Sequence, residues 1–385
     1  MSIIFILFLI ATIVIVSGAY VGINGHHDWR QADVYGHILG FMHFKNFSPY
    51  DRFLIGQKAI YDIPIYEWII ARLSLCSRID PLVITNIINY FFWIITTITG
   101  YFISNTYGKK HAGSIYVFLM STSPLMLHYY SVPLPDTMAI AFSLISLTIF
   151  IFRGVSFASL LMVLPFIIIA TLIKSPVMYV FAVFYSLCLL AVFLSEYNKS
   201  FASFLYDKKS YMVFLIVLAI TAITAELLRK YLLGDLTSIG FAQNPKWYFG
   251  DLTLRLSSSF WEAMYKRLRK AGLFNFVLIY TVITFWALSV SRSKKLLIFT
   301  IVSAGTFFIG WLTFSHVYRA HDYYELPVTI IMFISFSASL SFVFDYIIKK
   351  HPSLINLRAK LVFFVNIFAV TFMFVKIPTL YIKKE

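Results

Sequence analysis

The sequence predicts an all-α integral membrane protein, and three observations carry that prediction. Of its 385 residues 60% are apolar and only 13% charged, with a mean hydropathy of +0.81, a composition that excludes an ordinary water-soluble globule. Apolar runs close to the length a bilayer requires recur along the whole chain. The 32 Lys and Arg against 17 Asp and Glu leave a net charge of +15, scattered through the connections as cytoplasmic anchors would be, not striped as for nucleic acid. Aromatic residues at 19% suit lipid-facing surfaces and interfacial belts. Cys76 and Cys188 are the two cysteines, and Cys188 sits inside an apolar run, so neither a disulfide framework nor a thiolate metal site is available.

The elements follow in order. Residues 3–22 are long enough to span and lack the basic leader of a signal peptide, which makes them a retained first helix. Further spans are expected at 82–104, 112–128, 136–152, 156–173, 176–194, 211–228, 273–290, 296–315, 326–348 and 360–377, a bundle of about eleven transmembrane helices in all. Two stretches resist this treatment: 24–81, rich in His, Asp, Arg and Pro, and 229–272, with charges at helical spacing. Both are expected to be loops carrying interfacial helices. The chain divides into a membrane module over 1–230, which includes the outer loop 24–81, and a second part over 231–385 with its own outer loop and later spans; no separate soluble domain is expected.

Alternate connections should differ in Lys and Arg. Those after spans two, four, six, eight and ten hold thirteen: Lys109, Lys110, Arg153, Lys199, Lys208, Lys209, Arg292, Lys294, Lys295, Lys349, Lys350, Arg358 and Lys360. The short connections on the other side, 129–135, 174–175 and 316–325, hold only Lys174 and Arg319. The bias places the N-terminus in the cytoplasm and both long loops on the outer face.

Ionisable groups of mixed sign gather on that outer side: His26, His27, Asp28, Arg30 and Asp33, then Lys58, Asp62 and Glu67, then Asp136, Lys174, and the run His321-Asp322-Tyr323-Tyr324-Glu325. Charges at the bilayer edge need water or partners, so several converging on one face imply a hydrated cavity. Each also has a plainer reading. Asp28 with Gln31 three residues on fits a helix cap, and Arg30 with Asp33 an i,i+3 ion pair. Asp136 after Pro133-Leu134-Pro135 could simply favour a helix N-terminus, Lys174 could snorkel, Lys58 could be a solvated loop charge, and the run from His321 could be an aromatic belt. A capping aspartate, however, does not require two adjacent histidines and remote charges on the same face.

The series His27-Asp28-Trp29-Arg30-Gln31-Ala32-Asp33, Ile63-Pro64-Ile65-Tyr66-Glu67-Trp68, Pro135-Asp136, Lys174-Ser175-Pro176 and His321-Asp322-Tyr323-Tyr324-Glu325-Leu326-Pro327 resembles the GT-C superfamily of membrane glycosyltransferases. The likeness is to bacterial protein O-mannosyltransferase and aminoarabinose transferase type enzymes, and it is denser over the first 200 residues. It implies a GT-C type bundle with interfacial helices in the first outer loop, in a bacterial cytoplasmic membrane. It also implies transfer of a sugar from a polyprenyl (undecaprenyl) phosphate carrier to a glycan, lipid or protein acceptor on the periplasmic face, with inversion, in cell-envelope polysaccharide or glycolipid biosynthesis. Where the family opens its first outer loop with an acidic pair, this chain has His27-Asp28.

Such a reaction needs a general base at the acceptor hydroxyl, a role open to Asp28, His27 or Asp33. The departing lipid phosphate needs cations and donors, for which Lys58, Arg30, Lys174, His321 and Tyr324 are candidates. Asp136, Tyr323 and Glu325 are candidates for binding sugar or acceptor. No glycine-rich phosphate loop is present, and no HExxH spacing; no cofactor is required, although the outer acids and histidines leave room for a divalent cation. The competing readings are a polyprenyl-linked oligosaccharide polymerase or ligase, and a lipid-linked sugar flippase or transporter. Mixed signs in the outer loops disfavour the first; charges confined to one face disfavour the second.

Overall fold

A computed structural model describes residues 2–21, 28–44, 63–154, 156–195, 249–270 and 273–351, together with isolated positions between 213 and 246. Every regular element among them is helical. In chain order they are α1 (Ser2–Val21), α2 (Asp28–Phe44), α3 (Ile65–Ser77), α4 (Pro81–Tyr107), α5 (Ala112–Thr122), α6 (Pro124–Tyr130), α7 (Asp136–Arg153) and α8 (Phe157–Ser195). There follow α9 (Leu252–Leu256), α10 (Ser258–Lys270), α11 (Leu273–Ser291), α12 (Lys294–Thr313), α13 (Ser315–Ala320), a 3-10 turn (Asp322–Tyr324) and α14 (Glu325–Lys350).

Five of these, α4, α7, α8, α12 and α14, are long and apolar enough to cross a bilayer, and stretches of α1, α5 and α11 are shorter apolar helices. The protein is a helical membrane protein. Of the eleven expected spans, 211–228 survives only as isolated described positions and 360–377 lies outside the described residues. The expected span 112–128 is broken between Thr122 and Pro124, because Pro124 has no N–H to continue α5 and opens α6 instead. Ser123 caps the new helix, accepting from Met126 N at 3.4 Å.

The two expected spans 156–173 and 176–194 form the single element α8, interrupted at Lys174 (φ −156°, ψ 87°). Phe166 and Met178 would lie about 18 Å apart along an unbroken helix, yet they touch neighbouring α7 residues: Phe166 meets Phe142 (ring centroids 6.0 Å) and Met178 Sδ meets Ser143 Oγ (3.5 Å). Tyr185 then meets Ser146 (3.0 Å), farther along α7. The chain therefore turns back at Lys174, its second half running alongside α7 in the same direction. Pro176 explains the break: it cannot donate to the carbonyl four residues back, and that carbonyl, Leu172 O, accepts instead from Ile63 N at 3.3 Å. The segment entering α3 is thus fastened to the turn that carries Lys174.

Side-chain contacts fix the direction of the other helices. Thr12 with Tyr90 (3.1 Å) and Phe8 with Trp93 (4.9 Å) run α1 antiparallel to α4. Tyr107 stacks on Phe299 at 3.9 Å, and Lys109 N donates to Ser341 Oγ at 2.8 Å, gathering the last turn of α4, the start of α12 and the end of α14 at one end of the bundle. Lys109, Lys110, Arg153, Arg292, Lys294, Lys295, Lys349 and Lys350 all sit at helix termini of that end. Lys295 Nζ donates to the free carbonyl of Thr106 at 3.0 Å while lying 4.9 Å from the Tyr107 ring. The opposite end carries the starts of α4, α7 and α14, the turn at Lys174, and helices α2 and α3, which pack on each other. There Arg255 fastens the segment before α9 over the end of α12, donating to Leu312 O (2.6 Å) and Phe249 O (2.6 Å).

Within lipid, helices associate through close packing rather than escape from water. Gly100 on α4 shows this: a Cβ there would run into the Tyr116 ring of α5, whose hydroxyl donates to Thr96 O at 3.2 Å. Gly100→Ala is expected to displace that fully buried ring and lower stability by about 1–3 kcal/mol. Thermal unfolding of the detergent-solubilised protein checks this, and an unchanged midpoint would mean that α5 can move aside freely.

Candidate functional site

The sequence-predicted residues that are described lie at the end of the bundle opposite the basic helix termini, contributed by five separate elements. Helix α2 turns Arg30, Gln31, Val34, Ile38 and Phe41 inward and leaves Ala32 and Leu39 exposed. The inward face is thus mixed, with Arg30 and Gln31 at the start of the helix and Val34, Ile38 and Phe41 along the rest of it. Arg30 is 5% exposed and its Nη1 donates to Asp33 Oδ2 at 2.6 Å; His37 Nε2 lies 3.8 Å from the other carboxylate oxygen. The i,i+3 ion pair anticipated between Arg30 and Asp33 is present, and it leaves Asp33 with one oxygen held by a guanidinium. Burial lowers the pKa of the His37 imidazole, Asp33 opposing the shift and Arg30 adding to it.

Asp136 opens α7 and is fully buried. Pro133 and Pro135 deny the segment helical hydrogen bonds until this point, and the carboxylate occupies the first turn, where the macrodipole favours negative charge. Glu325 is likewise fully buried in the first turn of α14. Two carboxylates at buried helix starts, on the same end as Arg30 and Lys174, put the acids and the cations together. Lys174 is 4% exposed, so its ammonium does not snorkel out of the protein; Nζ lies 5.5 Å from the Tyr324 ring.

The run after α13 supplies an aromatic wall. His321 stacks on Tyr323 (5.3 Å), Tyr323 lies against Tyr324 (4.7 Å), and Tyr129 of α6 meets Tyr323 edge-on (6.2 Å). Tyr323 and Tyr324 are buried, which corrects any reading of this run as a membrane-facing aromatic belt. Burial raises the pKa of the Tyr323 hydroxyl well above its ordinary value; Tyr324 adds to the shift, Lys174 and Arg30 draw it back down, and Asp136 pushes it up. One phenol therefore feels side chains from α2, α7 and the turn of α8 together, although 293 residues separate Arg30 from Tyr323 in the chain.

The arrangement can place two cations and several hydroxyl and imidazole donors around an anionic group, with carboxylates alongside. His27 and Lys58 lie outside the described residues; Asp28 is described only as the first residue of α2, its side chain outside them. Among the described residues no cluster of three or more His, Cys, Asp and Glu side chains is positioned to hold a metal ion. Two neighbours escaped the sequence analysis. His128 on α6 is 4% exposed, its ring 4.7 Å from Tyr129, and the signal that could have found it is the proline break that starts α6 short of the outer end. Gln31, whose spacing from Asp28 fits a helix cap, is 2% exposed and turns inward beside Arg30. No family model matches the chain, and no curated protein matches it.

Proposed function

We propose that the protein is a membrane glycosyltransferase of the GT-C type, moving a sugar from a polyprenyl phosphate carrier to an acceptor hydroxyl or amine on the extracytoplasmic side of a bacterial cytoplasmic membrane. One observation supports it above the others: buried Arg30, Asp136, Lys174 and Glu325, from four separate elements, gather with buried Tyr323 and Tyr324 at one end of the bundle, Lys174 Nζ lying 5.5 Å from the Tyr324 ring. Buried charge is costly unless it is paired, and several such groups from distant parts of the chain gathered in one place are a mark of functional sites.

In this reading the acceptor oxygen attacks the anomeric carbon as the bond to the lipid phosphate breaks. Lys174 and Arg30 neutralise charge growing on the phosphate oxygens, and in a dehydrated site they do so far more strongly than in water. Arg30 gives one N–H of its five-donor fork to Asp33, which holds the guanidinium in place on α2. His321 and Tyr324 add donors. Asp136, Tyr323 and Glu325 line the sugar or acceptor side. The base falls to Asp28 or His27 rather than to Asp33, one of whose oxygens is already engaged by the Arg30 guanidinium. The basic end of the bundle then faces the cytoplasm.

The test is incubation of the protein, reconstituted in vesicles, with polyprenyl phosphate bearing a radiolabelled sugar and with membrane extract as acceptor. Loss of label from the lipid with its appearance on an acceptor, inverted at the anomeric carbon, is the expected result. Movement of intact labelled lipid between leaflets without loss of sugar would overturn the proposal in favour of a flippase.

A further inference from the structure

A buried amide sits behind the candidate site and ties together the elements that present it. Asn89 on α4 is fully buried. Its Oδ1 accepts from Tyr66 Oη of α3 at 2.8 Å and lies 3.1 Å from Thr137 Oγ1 of α7. Its Nδ2 donates to Val132 O, in the segment between α6 and α7, at 2.6 Å. The orientation of the amide is determined by its partners: Val132 O can only accept, so the NH2 must face it. Thr137 also lies 2.9 Å from Leu134 O, so its single hydroxyl proton serves one of two acceptors. Tyr66 is 1% exposed and Thr137 fully buried, and the Leu134 backbone N–H bears on the Tyr66 oxygen as well.

These bonds straddle the site. Thr137 is next in the chain to Asp136, and Tyr66 is next to Glu67, itself 5% exposed. The segment from Val132 to Pro135 contains two prolines and makes no helix, so its path toward Asp136 is set by side chains. We propose that Asn89 is a positioning residue: it fixes the Val132–Asp136 segment and the start of α3 against α4, and thereby aims the Asp136 carboxylate. The assignment of Asp136 to sugar or acceptor binding rests on the glycosyltransferase reading, whereas the positioning itself does not.

Both parts are tested with Asn89→Ala and Tyr66→Phe in the full-length protein in nanodiscs, by amide hydrogen exchange and by steady-state sugar transfer. Asn89→Ala is expected to speed exchange about tenfold at 132–137 and at 65–69 together, with the other helices unchanged. Tyr66→Phe should affect 65–69 more than 132–137. If the wild type transfers sugar, Asn89→Ala should lower kcat on the order of 100-fold, since small misplacements cost that much, with little change in KM for the lipid donor. Exchange unchanged at both segments, or raised evenly over the whole protein, overturns the positioning role. Locally raised exchange in a protein whose wild type transfers no sugar supports the positioning role and removes the glycosyltransferase reading alone. Raised exchange with undiminished transfer would detach Asn89 from the reaction and overturn its link to Asp136.

Discussion

On the glycosyltransferase proposal, Lys174→Met is expected to reduce sugar transfer by about 10²- to 10³-fold, the usual consequence of removing one preorganised group that stabilises charge in a transition state. The substitution keeps the volume of the stem and deletes the charge. The ammonium lies over the Tyr324 ring and acts on Tyr323, so its removal leaves Asp136 and Glu325 facing a site with less positive charge. Lys174→Arg should retain part of the activity, because the charge survives while the compact geometry of an ammonium does not. Rates measured in vesicles against thermal midpoints measured on the same samples separate chemistry from folding. Full activity of the methionine variant with an unchanged midpoint would remove Lys174 from the reaction.

Arg30→Ala should act first on stability. Arg30 and Asp33 form a partly buried pair with side-chain exposures of 6% and 17% at 2.6 Å, and deleting one partner of such a charge-assisted bond costs about 1–3 kcal/mol. Replacing both by alanine should cost less than the sum of the single changes, which a double-mutant cycle in chemical denaturation measures. The pair also governs the pH response. Burial, with help from Arg30 and against Asp33, holds the His37 pKa below its ordinary value. A folded imidazole with a lowered pKa binds fewer protons than the unfolded chain. The stability it contributes is therefore fully present above the unfolded pKa of about 6.5 and is lost as pH falls through that value toward the folded one. Without Arg30 one lowering influence disappears and Asp33 is opposed by burial alone, so His37 should titrate at higher pH and this source of acid sensitivity should shrink. Midpoints of the wild type and of Arg30→Ala between pH 5 and 8 check the sign; an identical pH profile would show that Arg30 does not bear on His37.

Most helix positions were legible because lipid imposes a length and a composition on whatever crosses it. The spans expected at 82–104, 136–152 and 326–348 correspond to α4, α7 and α14 within a few residues; at α4 the Asp80 cap, which accepts from Leu82 N at 2.7 Å, starts the helix just outside its apolar run. The break at Pro124 was missed because the apolar run continues across it, and hydropathy is blind to a lost N–H. The plainer meaning of Arg30 and Asp33 was legible from spacing alone, since i,i+3 contacts are local.

The gathering of charge on one side could be anticipated from sequence because alternate loops differ in Lys and Arg, a one-dimensional signal. What sequence by itself determined about this protein is therefore its class, its helices and the residues with reason to share an end. Tertiary structure alone decided that Arg30, Asp136 and Lys174 come near Tyr323, that Leu172 O is taken by Ile63 N, and that Asn89 joins α3 to the approach to α7. Each of these depends on which helix faces which. In a bilayer that choice is made by close packing and by satisfying buried polar groups, terms of nearly equal size for many candidate neighbours, and neither leaves a periodic trace in the chain.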